Sequence, residues 1–133
     1  MEIRAPNQSD LPELRALLCS NGWEHRIGDD AWFAQLLASS QALVAVEGAF
    51  VVGFARAVTD GLSNGYLSMV VISPNRRRQG LGSRLVREIV GVNPGVTWVL
   101  RASRPGAREF FETLGFRPSL EVMELNRARR HDI

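Results

Sequence analysis

Along the chain the apolar positions switch between a spacing of two and a spacing near 3.6, and most switches fall at a turn signal. Glu2-Ile-Arg-Ala-Pro6 is a short opening strand. Ser9 or Asp10 can then cap a helix with Leu11, Leu14, Leu17 and Leu18 on one face, and Asn21-Gly22 stops it. A polar, aromatic segment, Trp23 to Gly28, leads to Asp29-Asp30, which can cap a second helix carrying Trp32, Phe33, Leu36 and Leu37. Ala42–Val46 and Phe50–Val58 read as a hairpin around Glu47-Gly-Ala49, and Asp60 to Gly65 turns the chain into a third strand, Tyr66–Ile72. Leu81, Leu85, Ile89 and Val90 mark a helix ended by Gly91 and Asn93-Pro-Gly95. Val96–Arg101 is a further strand, Pro105-Gly106 opens a helix from Ala107 to Leu114, and Phe116 to Leu125 can give one or two last strands.

The order βααβββαβαβ(β) combines a strand meander with two crossover helices. It predicts an α+β fold, an α/β/α sandwich whose central sheet is mixed but mostly antiparallel, with helices on both faces. No repeat, low-complexity tract or linker interrupts it, so residues 1–126 read as one domain and 127–133 as an arginine-rich tail.

Composition narrows the chemistry. At 133 residues the chain can bury a core without a metal or disulfide, and its short apolar runs exclude membrane spans. The start lacks the profile of a signal peptide, so a cytoplasmic location is the expectation. Cys19 is the single cysteine, which excludes an internal disulfide and a cysteine-based zinc site. All sixteen basic residues are arginine, which removes the lysine that a phosphate-loop nucleotidase or a Schiff-base enzyme requires. A net charge of +2 does not argue for nucleic acid.

The sharpest feature is the junction after the third strand, Ser73-Pro-Asn-Arg-Arg-Arg-Gln-Gly-Leu-Gly-Ser83, where a β-branched run gives way to arginines, two glycines and a new helix. Outward-pointing backbone N–H groups beside positive charge make an anion cradle, whereas the bland alternative is a tight turn. A dinucleotide fingerprint is a poor match, because the third glycine is missing and no acidic residue ends a following strand.

These residues resemble the acyl-CoA pyrophosphate loop of the GNAT-superfamily N-acetyltransferases, Arg/Gln-x-x-Gly-x-Gly/Ala, here Arg77-Arg-Gln-Gly80-Leu-Gly82. A second motif, Ala107 to Gly115-Phe116, resembles the late helix of that family. The resemblance implies a soluble enzyme that moves an acetyl group from acetyl-CoA to a primary amine of a small molecule or peptide. It also implies direct attack in a ternary complex, with no metal. It further implies that the backbone of Gln79, Gly80, Leu81, Gly82 and Ser83 holds the pyrophosphate with help from Arg77 and Arg78. The strand around Val70, Val71 and Ile72 would supply the polarising amide and the pantetheine contacts.

Proton-transfer groups depart from the family pattern. The late helix carries Phe110-Phe111 where many relatives place a tyrosine acid, and Arg104 where an asparagine is common. The strand before the loop has Ser68-Met69 and no carboxylate. Candidates are Tyr66 and Ser103 for the acid and Glu24, His25 or Asp60 for the base; each is equally readable as an ordinary polar residue. Trp23 can line an acceptor pocket or join the core, Trp32 reads as core, and Arg56 as a surface ion pair or a carboxylate ligand. An acyl-CoA sensor without turnover is the alternative function. Neither nucleic acid nor membrane is an expected partner, and the resemblance leaves room for a homodimer.

Overall fold

A computed structural model describes residues 1–127. Its elements are β1 (Glu2–Arg4), α1 (Leu11–Ser20), α2 (Asp30–Ala38), β2 (Gln41–Glu47), β3 (Phe50–Thr59), β4 (Asn64–Ile72), α3 (Leu81–Val90), β5 (Thr97–Leu100) and α4 (Ala107–Thr113), with single 3-10 turns at Gln8–Asp10, Glu24–Arg26 and Pro74–Arg76. The chain falls into two compact units, Met1–Arg101 and the part from Ala102 onward, so α4 belongs to the second.

In the first unit five strands form one sheet in chain order, β1-β2-β3-β4-β5, antiparallel except for the parallel β4–β5 pair. This is the mixed, mostly antiparallel sheet that the pattern predicts. Parallel pairing of β4 and β5 follows from the crossover through α3. Alternation along β3 sends Phe54 to one face, where it packs with Leu14, Leu17 and Leu18 of α1, Phe33 of α2, and Met69 and Val71 of β4. Gly53 faces the other way, and a Cβ there would stand 3.1 Å from Leu85 of α3 and 3.2 Å from Ile72. The missing side chain lets α3 lie close against the sheet, burying Leu81, Leu85, Val86 and Ile89. Each such side chain contributes about 1.5–3 kcal/mol of burial against the entropy of ordering it.

Local chemistry sets the helix ends. Asp29 caps α2 by accepting from the Trp32 amide at 2.9 Å, as its sequence position predicts. The start of α1 differs from expectation. Asn7 caps the preceding 3-10 turn, and Asp10 turns inward to accept from the Asn7 amide at 2.8 Å and from both Nη atoms of Arg4, at 2.6 and 3.0 Å. The Arg4 guanidinium, and after it the Asn7 amide, holds the Asp10 carboxyl below its ordinary range.

Two further expectations are corrected. Trp32 is not core: it is 47% exposed, because the buried line of α2 runs through Phe33 and turns Trp32 onto the backbone of Gly28. Residues 116–127 contain no strand. Pro118 has no N–H for a ladder, Ser119 Oγ accepts from the Glu121 amide at 3.2 Å, and Leu120, Met123 and Leu125 are exposed. Residues 128–133, most of the expected tail, lie outside the described residues.

Candidate functional site

The site begins at an irregularity in β4. Register with β3 is Arg56↔Met69 and then Ala57↔Leu67, so Ser68 is an extra residue, a β-bulge. A bulge bends its strand and increases its twist. Parallel pairing with β5 ends one residue before it, at Leu67↔Leu100. From there β4 runs on to Ile72 against β3 alone.

Alternation fixes which backbone groups this leaves open. The Ser73 amide donates to the Val52 carbonyl on β3 at 2.8 Å. Val71 therefore also faces β3, while Val70 and Ile72 present N–H and C=O to the side that β5 has left. The Ile72 carbonyl accepts there from Arg77 Nε at 3.1 Å, which confirms the direction, whereas the Val70 N–H has no β5 partner.

The loop that follows meets the same end of the sheet. The Gly80 backbone is left-handed (φ +79°), and a Cβ there would meet nothing within 4 Å. Arg84 N–H donating to the Gly80 carbonyl at 3.0 Å is the first intrahelical bond of α3. The amides of Leu81, Gly82 and Ser83 thus have no intrahelical acceptor and project from the positive end of the helix. Arg78 also holds a left-handed backbone (φ +62°), unusual for a residue with a Cβ. A side-chain-free opening, free amides and nearby guanidinium groups suit a polyanion such as a pyrophosphate.

The arginine triplet divides. Arg76 is bound to Glu47 at the β2–β3 turn and holds that carboxyl below its ordinary range. Arg77, besides holding the Ile72 carbonyl, donates to Asn21 Oδ1 at 3.0 Å. Asn21 in turn donates through Nδ2 to the Leu17 carbonyl, so Arg77 brings the end of α1 to the end of β4.

The other candidates separate. Tyr66 is half-buried on β4 beside the last β5 pairs. Glu24 and His25 are exposed on the 3-10 turn after α1. Asp60 accepts from the Leu62 and Ser63 amides and the Ser63 hydroxyl; hydrogen bonds from Ser63 and then Leu62 and Asn64 hold it far below the carboxylate range, making it a turn anchor and a poor base. Trp23 packs half-buried against the core. Ser103 lies in the second unit, where Phe111 packs edge-on against Phe110 and Phe116 with centroids 4.9 and 5.6 Å away. Among the described residues no three His, Cys, Asp or Glu side chains gather as a metal site, and no helix is long and apolar enough to cross a membrane.

Arg56 is not the surface ion pair that its sequence position predicts. It lies on the inner face of β3, 9% exposed, and forms no ion pair among the described residues. Nε donates to Ser40 Oγ and Nη1 to Ser68 Oγ, each at 2.8 Å. Burial pulls its pKa below the usual value, with Tyr66 pulling the other way, and the guanidinium stays charged at neutral pH. The alanines on either side, in an otherwise apolar strand, are the sequence signal for this burial.

The model of the acetyltransferase (GNAT) domain matches residues 38–118, from the end of α2 past α4. Curated protein sequences give no match. Among solved structures, a GNAT-family acetyltransferase from Streptococcus pneumoniae is 23% identical with a TM-score of 0.77, over 97% of this chain and 96% of that one. An acetyltransferase from Trypanosoma brucei is 25% identical with a TM-score of 0.74, over 95% and 99%. An aminoglycoside N-acetyltransferase solved with CoA is 22% identical with a TM-score of 0.72, over 95% and 93%. With more than half its length matched as such a domain, on a sheet that parts at β4 beside a glycine loop, this chain belongs to the GNAT family of acetyltransferases.

Proposed function

We propose that this protein is an acetyl-CoA-dependent N-acetyltransferase acting on a primary amine of a small molecule or peptide, in the cytoplasm. The observation that carries the reading is the meeting of two sets of unpaired amides at one end of the sheet, on β4 past Leu67 and at the start of α3. The amides of Gln79 to Ser83, with Arg77 and Arg78 alongside, are the cradle for the CoA pyrophosphate. The backbone of Val70 to Ile72 is the edge for pantetheine, and the Val70 N–H is the donor for the acetyl oxygen. To accept pantetheine at the Ile72 carbonyl, Arg77 releases it and is free to turn to phosphate.

In the reaction the amine, having lost one proton, attacks the acetyl carbon. A C–N bond forms, the C–S bond breaks, and the second amine proton ends on the CoA thiol. The oxyanion formed on the way is held by the Val70 amide. A thiolate leaves readily, its conjugate acid having a pKa of roughly 8.5, so a weak or indirect acid suffices. Tyr66 is the candidate donor on β4, Ser103 the alternative; Glu24 and His25 are candidates to receive the first proton, directly or through water.

Calorimetry with CoA, followed by thiol release from acetyl-CoA across a panel of amines, tests the reading. Micromolar CoA binding with amine-dependent release is the expected outcome, and no CoA binding would reject it. Phe111 and the exposure of Glu24 and His25 favour the second reading, an acyl-CoA sensor. Tight CoA binding with no release from any amine would establish that instead.

A further inference from the structure

A buried guanidinium is costly unless its charge is met, and a paired carboxylate is the usual remedy. Arg56 has only two hydroxyl groups, which carry no charge. Two of its five N–H donors are thereby used, leaving three, enough for the two parallel bonds that a carboxylate accepts. Of the atoms that carry them, Nη2 is also reachable. Among the described residues the side-chain polar atoms both sealed from solvent and unpaired are Arg15 Nη1 and Trp98 Nε1, and neither belongs to Arg56.

Position gives this open cation a use. Arg56 pairs with Met69, the residue just past the bulge, and Met69 precedes Val70. Paired Cα atoms stand about 5 Å apart. The hydroxyl on Nη1 belongs to the bulged residue itself, and Tyr66 on the same face is close enough to act on the charge. The cation thus stands within the span of a small molecule from the amide edge where β4 leaves β5.

We propose that Arg56 binds the carboxylate of the acceptor, so that the amine this protein acetylates is the amino group of an α-amino acid. The juxtaposition of a buried arginine lacking a counter-charge with the bulge that opens β4 is what selects this class. Ser40 and Ser68 are positioning residues that aim the guanidinium. Ser40 is itself fixed, donating from Oγ to the Leu36 carbonyl at 2.6 Å. The inference rests on the acetyl-transfer reading above.

The test compares each of the common L-amino acids with its carboxamide in the thiol-release assay with wild-type protein. The carboxylate form is expected to have a kcat/KM about 10- to 150-fold higher for at least one side chain, as a charged hydrogen bond allows. Arg56→Gln is expected to bring that ratio close to one, mainly by raising KM for the acid, while CoA affinity by calorimetry stays unchanged. Arg56→Lys should restore part of the preference. Equal rates for acid and amide in wild type overturn the proposal, whatever the variants do. So does an Arg56→Gln protein that binds CoA normally and keeps the preference. If CoA binds and no amine is acetylated, the acetyl-transfer reading fails separately. Thermal shift with the same acid and amide pairs then decides for Arg56: stabilisation by the acid alone, lost in Arg56→Gln, keeps the carboxylate site, and none overturns it.

Discussion

Replacing Val70 by proline deletes one N–H from the protein, and the register makes it a clean deletion. Val70 faces away from β3, so the β3–β4 ladder keeps its bonds, whereas proline at most mid-strand positions removes one. The fixed φ of proline and the loss of a partly buried side chain cost stability on the order of 1–3 kcal/mol. The catalytic cost is larger. Removing one donor to a tetrahedral oxyanion is worth about 2.7–4 kcal/mol, or roughly 10²- to 10³-fold in kcat. Val70→Ala is the companion variant, because it trims the side chain and keeps the amide. In a thiol-release assay with saturating acetyl-CoA and the best acceptor, Val70→Pro is expected to lose kcat by that factor and Val70→Ala by less than about fivefold. Calorimetry with CoA, which lacks the acetyl oxygen, should find both near wild type. A folded Val70→Pro protein within threefold of wild type would show that another group holds the oxyanion. Equal losses in the two variants would assign the effect to packing.

Gly65→Ala should destabilise without touching the loop, since its Cβ would lie 2.5 Å from the Trp98 ring; overpacking of about 1–3 kcal/mol lowers Tm by several degrees, and an unchanged melting curve would refute the contact. Gly80→Ala meets no atoms, so its cost is the left-handed backbone, about 1–2 kcal/mol; calorimetry should show CoA binding weakened by roughly 5- to 30-fold. Asp10, Glu47 and Asp60 all titrate below their ordinary values in the folded chain, Asp60 through its hydrogen bonds to Ser63, Leu62 and Asn64. Their stabilisation is complete above the unfolded carboxylate range, about pH 4, and lost as pH falls below it towards the folded values. Urea midpoints from pH 7 to 2.5 should decline below pH 4, and less steeply for Asp60→Asn, whose amide oxygen still accepts from the turn.

What the sequence disclosed follows from how information is stored along a chain. Helix stripes, strand alternation and the glycines of the loop are local patterns, and they suffice for the order of elements as far as α4, for the mixed sheet and for the glycine turn that opens α3. The site also depends on relations between distant segments. Arg77 meets Asn21 across 56 positions, and no spacing rule joins them. The bulge at Ser68 is invisible because a one-residue offset exists only relative to β3. Arg56 reads as a surface group in the sequence because its arginine head outweighs the small apolar neighbours that report its burial. The exposed stretch after Phe116 shows the opposite error: alternating apolar residues describe a strand only where a ladder accepts them, and Pro118 with the Ser119 turn prevents that.

Between Gly53 and Ala57 there are five residues on β3, and they face the six from Leu67 to Ile72 on β4. The gap beside Val70 therefore arises from chain length rather than from any side chain. Deleting Ser68 would equalise the two counts and remove the bend that a bulge puts into β4 just past its last pair with β5. On this view the open edge at Val70 is subject to removal or creation by a single codon deletion or insertion. Changes around it are tolerated when they preserve the count, and a neutral-looking indel in this strand would be more damaging than most substitutions.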